Sequence, residues 1–189
     1  NGVNNIYSVT SNDPSNKNIF TSLKHKITQI TNSKEGNTNI KLSPNKKQIT
    51  YNNGYGKLIM ATISEDAKIS NELTLVNGWD TPSGISWAPD SKWITYSLSD
   101  LYFNEEIYIH KVDNSKKPVN ISMHPKSDFG AIWSEDGSKI VFSSNRNNGD
   151  HDIWFVWLQK KDWEKTKQDW DETSEEKKDK KEEKDEKSE

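Results

Sequence analysis

Short apolar segments separated by polar turns recur through the first 158 residues. They are clearest between Asp128 and Gln159, where Ala131-Ile132-Trp133, Ile140-Val141-Phe142 and Ile153 to Leu158 follow one another. The first two flank Glu135-Asp136-Gly137-Ser138, a tight-turn signal. Glycine accepts a positive φ without a Cβ clash, and aspartate bonds its own backbone. A longer polar connection, Asn145-Arg146-Asn147-Asn148-Gly149-Asp150, leads to the third segment. Strand, tight turn, strand, loop, strand is a β-meander.

The same order appears twice upstream. Leu42-Ser43-Pro44-Asn45, Trp87-Ala88-Pro89-Asp90 and Trp133-Ser134-Glu135-Asp136 align with spacings of 45 and 46 residues. The next strand repeats in step, as Ile49-Thr50-Tyr51-Asn52, Ile94-Thr95-Tyr96-Ser97 and Ile140-Val141-Phe142-Ser143. A third follows in each unit, at Leu58 to Ala61, Ile107 to His110 and Ile153 to Val156. A fourth precedes the next unit, at Ile27 to Ile30, Leu73 to Val76 and Val119 to Met123. Four short strands per unit at a period in the mid-forties is the signature of β-propeller blades.

The expected fold is therefore all-β, a partial β-propeller of about three to four four-stranded blades over residues 1–158. Residues 1–31 read as the end of an earlier blade, with Asn5 to Val9 as its third strand and His25 to Thr31 as its outer strand. Closed rings take about four to eight blades, so the ring is expected to be incomplete. Trp87, Trp133, Ile94 and Ile140 are the expected core, and the repeated positions of Trp87, Trp133 and Trp154 assign them to packing between blades.

Composition changes the picture after Leu158. Residues 160–189 hold 10 Lys and 13 Asp or Glu, with no Val, Ile, Leu or Phe. Trp163 and Trp170, seven apart, predict a short helix over residues 160–170, then a disordered charged stretch to Glu189. Residues 159–189 read as a solvated insertion between the third and fourth strands of the last blade. The rest of the chain carries 16 basic and 16 acidic residues, so no basic surface points to nucleic acid. There is no Cys, which excludes a disulfide framework and a thiolate nucleophile. No apolar run approaches the ~20 residues of a membrane span. A start at Asn1, without Met or a leader pattern, reads as an excerpt of a longer protein.

The Trp-Ser-Glu-Asp-Gly and Trp-Ala-Pro-Asp-Ser turns, each followed by Ile-x-Tyr/Phe-Ser, resemble the repeat of TolB-type propellers. That repeat also builds the propellers of tricorn-type peptidases and prolyl-oligopeptidase relatives. Leu42 stands where the repeat has Trp, and Lys46 and Ser91 stand where it has Gly, so the blade of Leu42 is the least typical. Phe142-Ser143-Ser144-Asn145-Arg146 and His151-Asp152-Ile153-Trp154-Phe155-Val156, leading into Asp162-Trp163-Glu164-Lys165 and a charged insertion, resemble the first propeller of bacterial tricorn-type serine peptidases. The resemblance implies a non-catalytic segment that guides or filters peptides toward catalytic domains outside this chain. Its partners would be peptides or the other domains of the parent protein, with a homo-oligomer formed through the full-length protein. The compartment implied is the cytoplasm, with the periplasm as the alternative. Two other functions fit the same repeat: a TolB-like protein-interaction scaffold, and the propeller lid of a prolyl-oligopeptidase-type hydrolase. Fold alone does not choose between them.

No catalytic, cofactor or metal constellation stands out. His25 and His110 fall at or in predicted strands, and His124 precedes Pro125 in a loop. His151 between Asp150 and Asp152 is the only local group of metal-ligating types, but neighbours on an extended segment alternate faces. Its expected role is strand entry. A G-x-S-x-G elbow is absent, and Ser143-Ser144 reads as a strand end. Asn120-Ile121-Ser122 matches a glycosylation sequon but falls in a predicted strand. Arg146, the only Arg, lies in a loop of Asn and Gly. Its guanidinium fork suits a peptide carboxylate, and a surface or blade-to-blade hydrogen bond is the alternative role.

Overall fold

The structure, a computed structural model, describes residues 2–169 and 171. Among the described residues thirteen strands form four antiparallel sheets. The first sheet pairs β1 (Tyr7–Ser11) with β2 (His25–Gln29). The first full blade has the order β3 (Asn37–Leu42), β4 (Gln48–Asn53), β5 (Lys57–Ile63), β6 (Ile69–Asn77). The second runs β7 (Ser83–Trp87), β8 (Trp93–Ser99), β9 (Glu105–Lys111), β10 (Val119–Asn120). The last sheet has three strands, β11 (Asp128–Trp133), β12 (Lys139–Asn147) and β13 (Asp150–Trp157). The first sheet thus holds the outer pair of a blade, and the last sheet ends before a fourth strand among the described residues.

The blades are alike because their turns are alike. In each β-turn between the first two strands the chain closes a pair of backbone bonds. Ser43 N–H donates to Gln48 O, Ala88 N–H to Trp93 O and Ser134 N–H to Lys139 O, at 2.8 to 3.0 Å. The Asx oxygen caps the turn from inside: Asn45, Asp90 and Asp136 accept the N–H groups of Lys47, Lys92 and Ser138. The next residue has φ of +60° at Lys46, +59° at Ser91 and +69° at Gly137. The turn imposes a left-handed residue whichever side chain occupies it.

A second repeated device is not evident in the sequence. The innermost strand of each blade is bulged, between Thr38 and Lys41, Ser83 and Ser86, and Phe129 and Ile132. Asn39, Gly84 and Gly130 sit in these bulges at φ +51°, +58° and +67°. Each bulge adds a residue to one strand and increases its local twist. It turns the inner strands, which pack on one another in the order β3, β7, β11.

The apolar core lies between sheets rather than within one. Ile6 joins Ile49, Tyr51, Ile59 and Ala61 between the first sheet and the first full blade. Leu58, Met60 and Leu75 meet Ile85, Trp87, Ile94 and Tyr96 between the two full blades. Ile107 meets Ala131, Ile140 and Phe142 between the second blade and the last sheet. A strand with alternating side chains offers one face to each neighbouring blade, so adjacent residues feed different clusters: Leu58 and Met60 go to one, Ile59 and Ala61 to the other.

Four expectations are corrected. Trp133 is only partly buried. Its indole N–H crosses to the Ser86 carbonyl at 3.3 Å, but its other side faces a cavity. Trp154 is 39% exposed. It shares a face with its partner Phe142, but β13 is the outermost strand of its sheet, and the Arg146 guanidinium covers the ring at 4.8 Å. The fourth strand of the second blade stops at Asn120. There the Asn120 side chain accepts the N–H groups of Ser122 and Met123 and turns the chain away. The helix predicted over 160–170 is one turn, α1 (Lys160–Trp163). Thr166 and Asp169 cap each other's backbone N–H groups and start a new helical turn instead. Trp170 and residues 172–189, with the disorder expected there, lie outside the described residues. No helix among the described residues is long and apolar enough to cross a membrane.

Candidate interaction surface

At the end of the blades opposite the repeated turns, three loops are tied into one platform. They are residues 53–57 between β4 and β5, 78–82 between β6 and β7, and 100–104 between β8 and β9. Gly78 N–H donates to Gly56 O at 2.9 Å. Gly56 N–H donates to the Thr81 hydroxyl. The Asp80 carboxylate accepts the N–H groups of Thr81 and Ser99, at 2.8 and 2.7 Å. Partial burial works to raise the Asp80 carboxyl, but the Ser99 backbone and side-chain bonds and the Thr81 backbone bond together outweigh it and hold it below its usual value. Asp100 anchors the third loop by accepting from the Tyr102 and Asn104 N–H groups.

The platform presents large side chains to water. Trp79 and Phe103 pack edge to face, with ring centroids 5.9 Å apart and planes at 87°. Trp79, Tyr55, Phe103, Tyr102 and Leu101 are between 50% and 85% exposed. Aromatic pairs in this geometry are attractive, and their remaining apolar surface is left uncovered. None of these residues belongs to the repeat that reveals the fold. The available signal was an apolar triplet, Leu101-Tyr102-Phe103, inside an otherwise polar loop.

Arg146 lies at the same end of its own sheet, but within β12 rather than in a loop. Its Nη2 donates to Asp128 at 2.8 Å, its Nε donates to the Ser144 hydroxyl at 2.9 Å, and its side chain is only 17% exposed. Asp128 is fully buried. The arginine therefore neutralises a carboxylate on the adjacent strand and stacks on Trp154. Ser144 is buried beneath it.

The histidines are not brought together. His110 is buried, with the Tyr96 hydroxyl 3.2 Å from Nδ1 and Asn114 Oδ1 3.0 Å from Nε2. The Tyr96 hydroxyl donating to Nδ1 and Nε2 donating to Asn114 Oδ1 suit the neutral ring. Burial lowers its pKa, outweighing the Asn114 bond. His25 bonds the Ile19 carbonyl. His151 packs edge to face on Phe129, while Asp152 accepts from Asn147. Among the described residues no cluster of His, Asp and Glu could hold a metal. The Asn120 side chain of the sequon is engaged in its own turn.

No family model and no curated protein matches the sequence. The fold does match solved structures. TolB from Acinetobacter baumannii aligns with 71% of this chain and 33% of its own, at 16% identity and a TM-score of 0.56. The tricorn protease aligns with 70% of this chain and 15% of its own, at 10% identity and a TM-score of 0.55. The chain thus spans about a third of the one and less of the other, and the likeness is one of fold: a partial, TolB-like, all-β propeller.

Proposed function

We propose that this chain is a non-catalytic propeller segment that binds extended protein segments across the loop platform of Trp79 and Phe103. The observation that carries the reading is that pair, fixed by the Asp80 bonds and packed on itself, yet largely uncovered. Exposed aromatic groups clustered on a rigid base are the usual anchors of protein interfaces, because they bury much area with few rotamers to freeze. Tyr55, Leu101 and Tyr102 widen the same platform.

Within this reading the finer role is the one implied by the sequence resemblance, guiding peptides toward the catalytic domains of a tricorn-like peptidase. The charged stretch after the last sheet and the fold likeness to the tricorn protease support it. A TolB-like interaction scaffold without an enzyme is the second reading, supported by the larger share of TolB that the chain spans. A peptide carboxylate reaching Arg146 would have to displace Asp128, which already accepts from its Nη2, so the Trp79 platform carries either reading without it.

The test is binding of the whole chain to an array of immobilised peptides, compared with the Trp79→Ala/Phe103→Ala double variant. Apolar and aromatic peptides are expected to bind and to lose at least about tenfold in affinity in the variant, since each hot-spot aromatic contributes on the order of 2 kcal/mol. Both side chains are exposed, so the far-ultraviolet spectrum should not change. Equal binding by the variant would overturn the assignment.

A further inference from the structure

At the opposite end, the repeated turns frame a cavity between the second full blade and the last sheet. It has a volume of about 710 Å³, within the roughly 300–1,000 Å³ of small-molecule sites. Trp93, Ile109, Trp133 and Leu158 form its apolar walls. Four charged residues edge it: Asp90, Asp136, Lys116 and Lys117.

The anions and cations differ in what they already do. Asp90 accepts the Lys92 N–H. Asp136 takes the Ser134 hydroxyl, the Ser138 N–H and the Ser138 hydroxyl. These donors, the Ser134 hydroxyl foremost, hold the Asp136 carboxyl well below the usual carboxylate range. Both carboxylates belong to the folding of their turns. Lys116 and Lys117, from the loop between β9 and β10, make no hydrogen bond or ion pair among the described residues. Two ammonium groups without a partner among the described residues therefore stand at the rim of an apolar cleft.

We infer that this cavity binds a small amphipathic carboxylate, with an aryl or alkyl body between the walls and the carboxylate on Lys116 and Lys117. The apolar walls reward burial of a hydrocarbon body. The lysines act as point charges, which an anion of one carboxylate satisfies without the planar fork of an arginine. The site lies at the other end of the blades from the Trp79 platform and does not depend on it.

The experiment is calorimetric titration of the whole chain with 4-phenylbutyrate and with the neutral 4-phenylbutanol. Saturable one-to-one binding of the carboxylate is expected, at least about tenfold tighter than that of the alcohol, as one charge-assisted contact allows. Lys116→Ala/Lys117→Ala should abolish that preference, and Lys116→Arg/Lys117→Arg should keep it. The Trp79→Ala/Phe103→Ala variant should bind like the unaltered chain. Absence of saturable binding, a preference that survives in the double-alanine variant, or a loss in the Trp79→Ala/Phe103→Ala variant would each overturn the inference.

Discussion

At the scale of single residues, burial rather than residue type decides the roles. His110 looked like any strand histidine, yet it is fully enclosed with both ring nitrogens engaged. Its folded pKa lies below its unfolded value of about 6.5. Between those two values the unfolded chain binds a proton that the folded chain refuses, so stability rises with pH. The contribution is complete above about 6.5 and is lost as the pH falls below it. Urea denaturation at pH 7.5 and 5.5 should show a smaller pH loss for His110→Asn than for the unaltered chain. Equal losses would show that His110 is not the linked group. Arg146 makes the same point differently. Sequence offered a peptide contact, but only the fold places buried Asp128 on the facing strand.

At the scale of elements, the turns are more uniform than their sequences. Lys46 adopts the φ of +60° that Gly137 adopts at +69°. A left-handed residue with a Cβ costs roughly 1–2 kcal/mol more than glycine. Lys46 is exposed and its side chain holds no turn bond, so Lys46→Gly should stabilise the chain by about 1 kcal/mol, partly offset by glycine's greater unfolded entropy. Thermal melts of the two proteins measure this, and an unchanged or lower melting temperature would contradict it. Ser91 is a poorer test site because its hydroxyl accepts the Asn45 N–H of the neighbouring blade. The departures from the repeat that weaken the sequence pattern are thus accommodated without a change of turn.

At the scale of the molecule, each sheet packs only on its neighbours, so cohesion runs along the arc like that of a repeat array. Ile107→Ala empties a fully enclosed position between the second blade and the last sheet. It should cost roughly 2–5 kcal/mol. The loss should be local. Amide exchange should accelerate in β11 to β13 and in β9, while β4 and β5 keep their protection. Uniform acceleration would show instead that the sheets unfold as one unit. The open side of the last sheet, where Ile153 and Phe155 are exposed, marks one end of the arc.

The sequence by itself determined the architecture. Apolar periodicity set the strands, and the Asx positions set the turns, because both are local choices of backbone and pleat. The matched spacings of Leu42, Trp87 and Trp133 fixed the number of units. Only the tertiary structure decided what those residues face. Trp133 was expected in a closed core and instead walls a cavity. Trp154 followed the repeat yet is left at the rim beneath Arg146. The bulges at Asn39, Gly84 and Gly130 hold glycine in two blades and asparagine in the third, with no shared motif around them. The Trp79 platform joins side chains from separate loops, and the cavity beside Lys116 and Lys117 takes its walls from two sheets. Such assemblies depend on how neighbouring blades stack, and no local pattern records that.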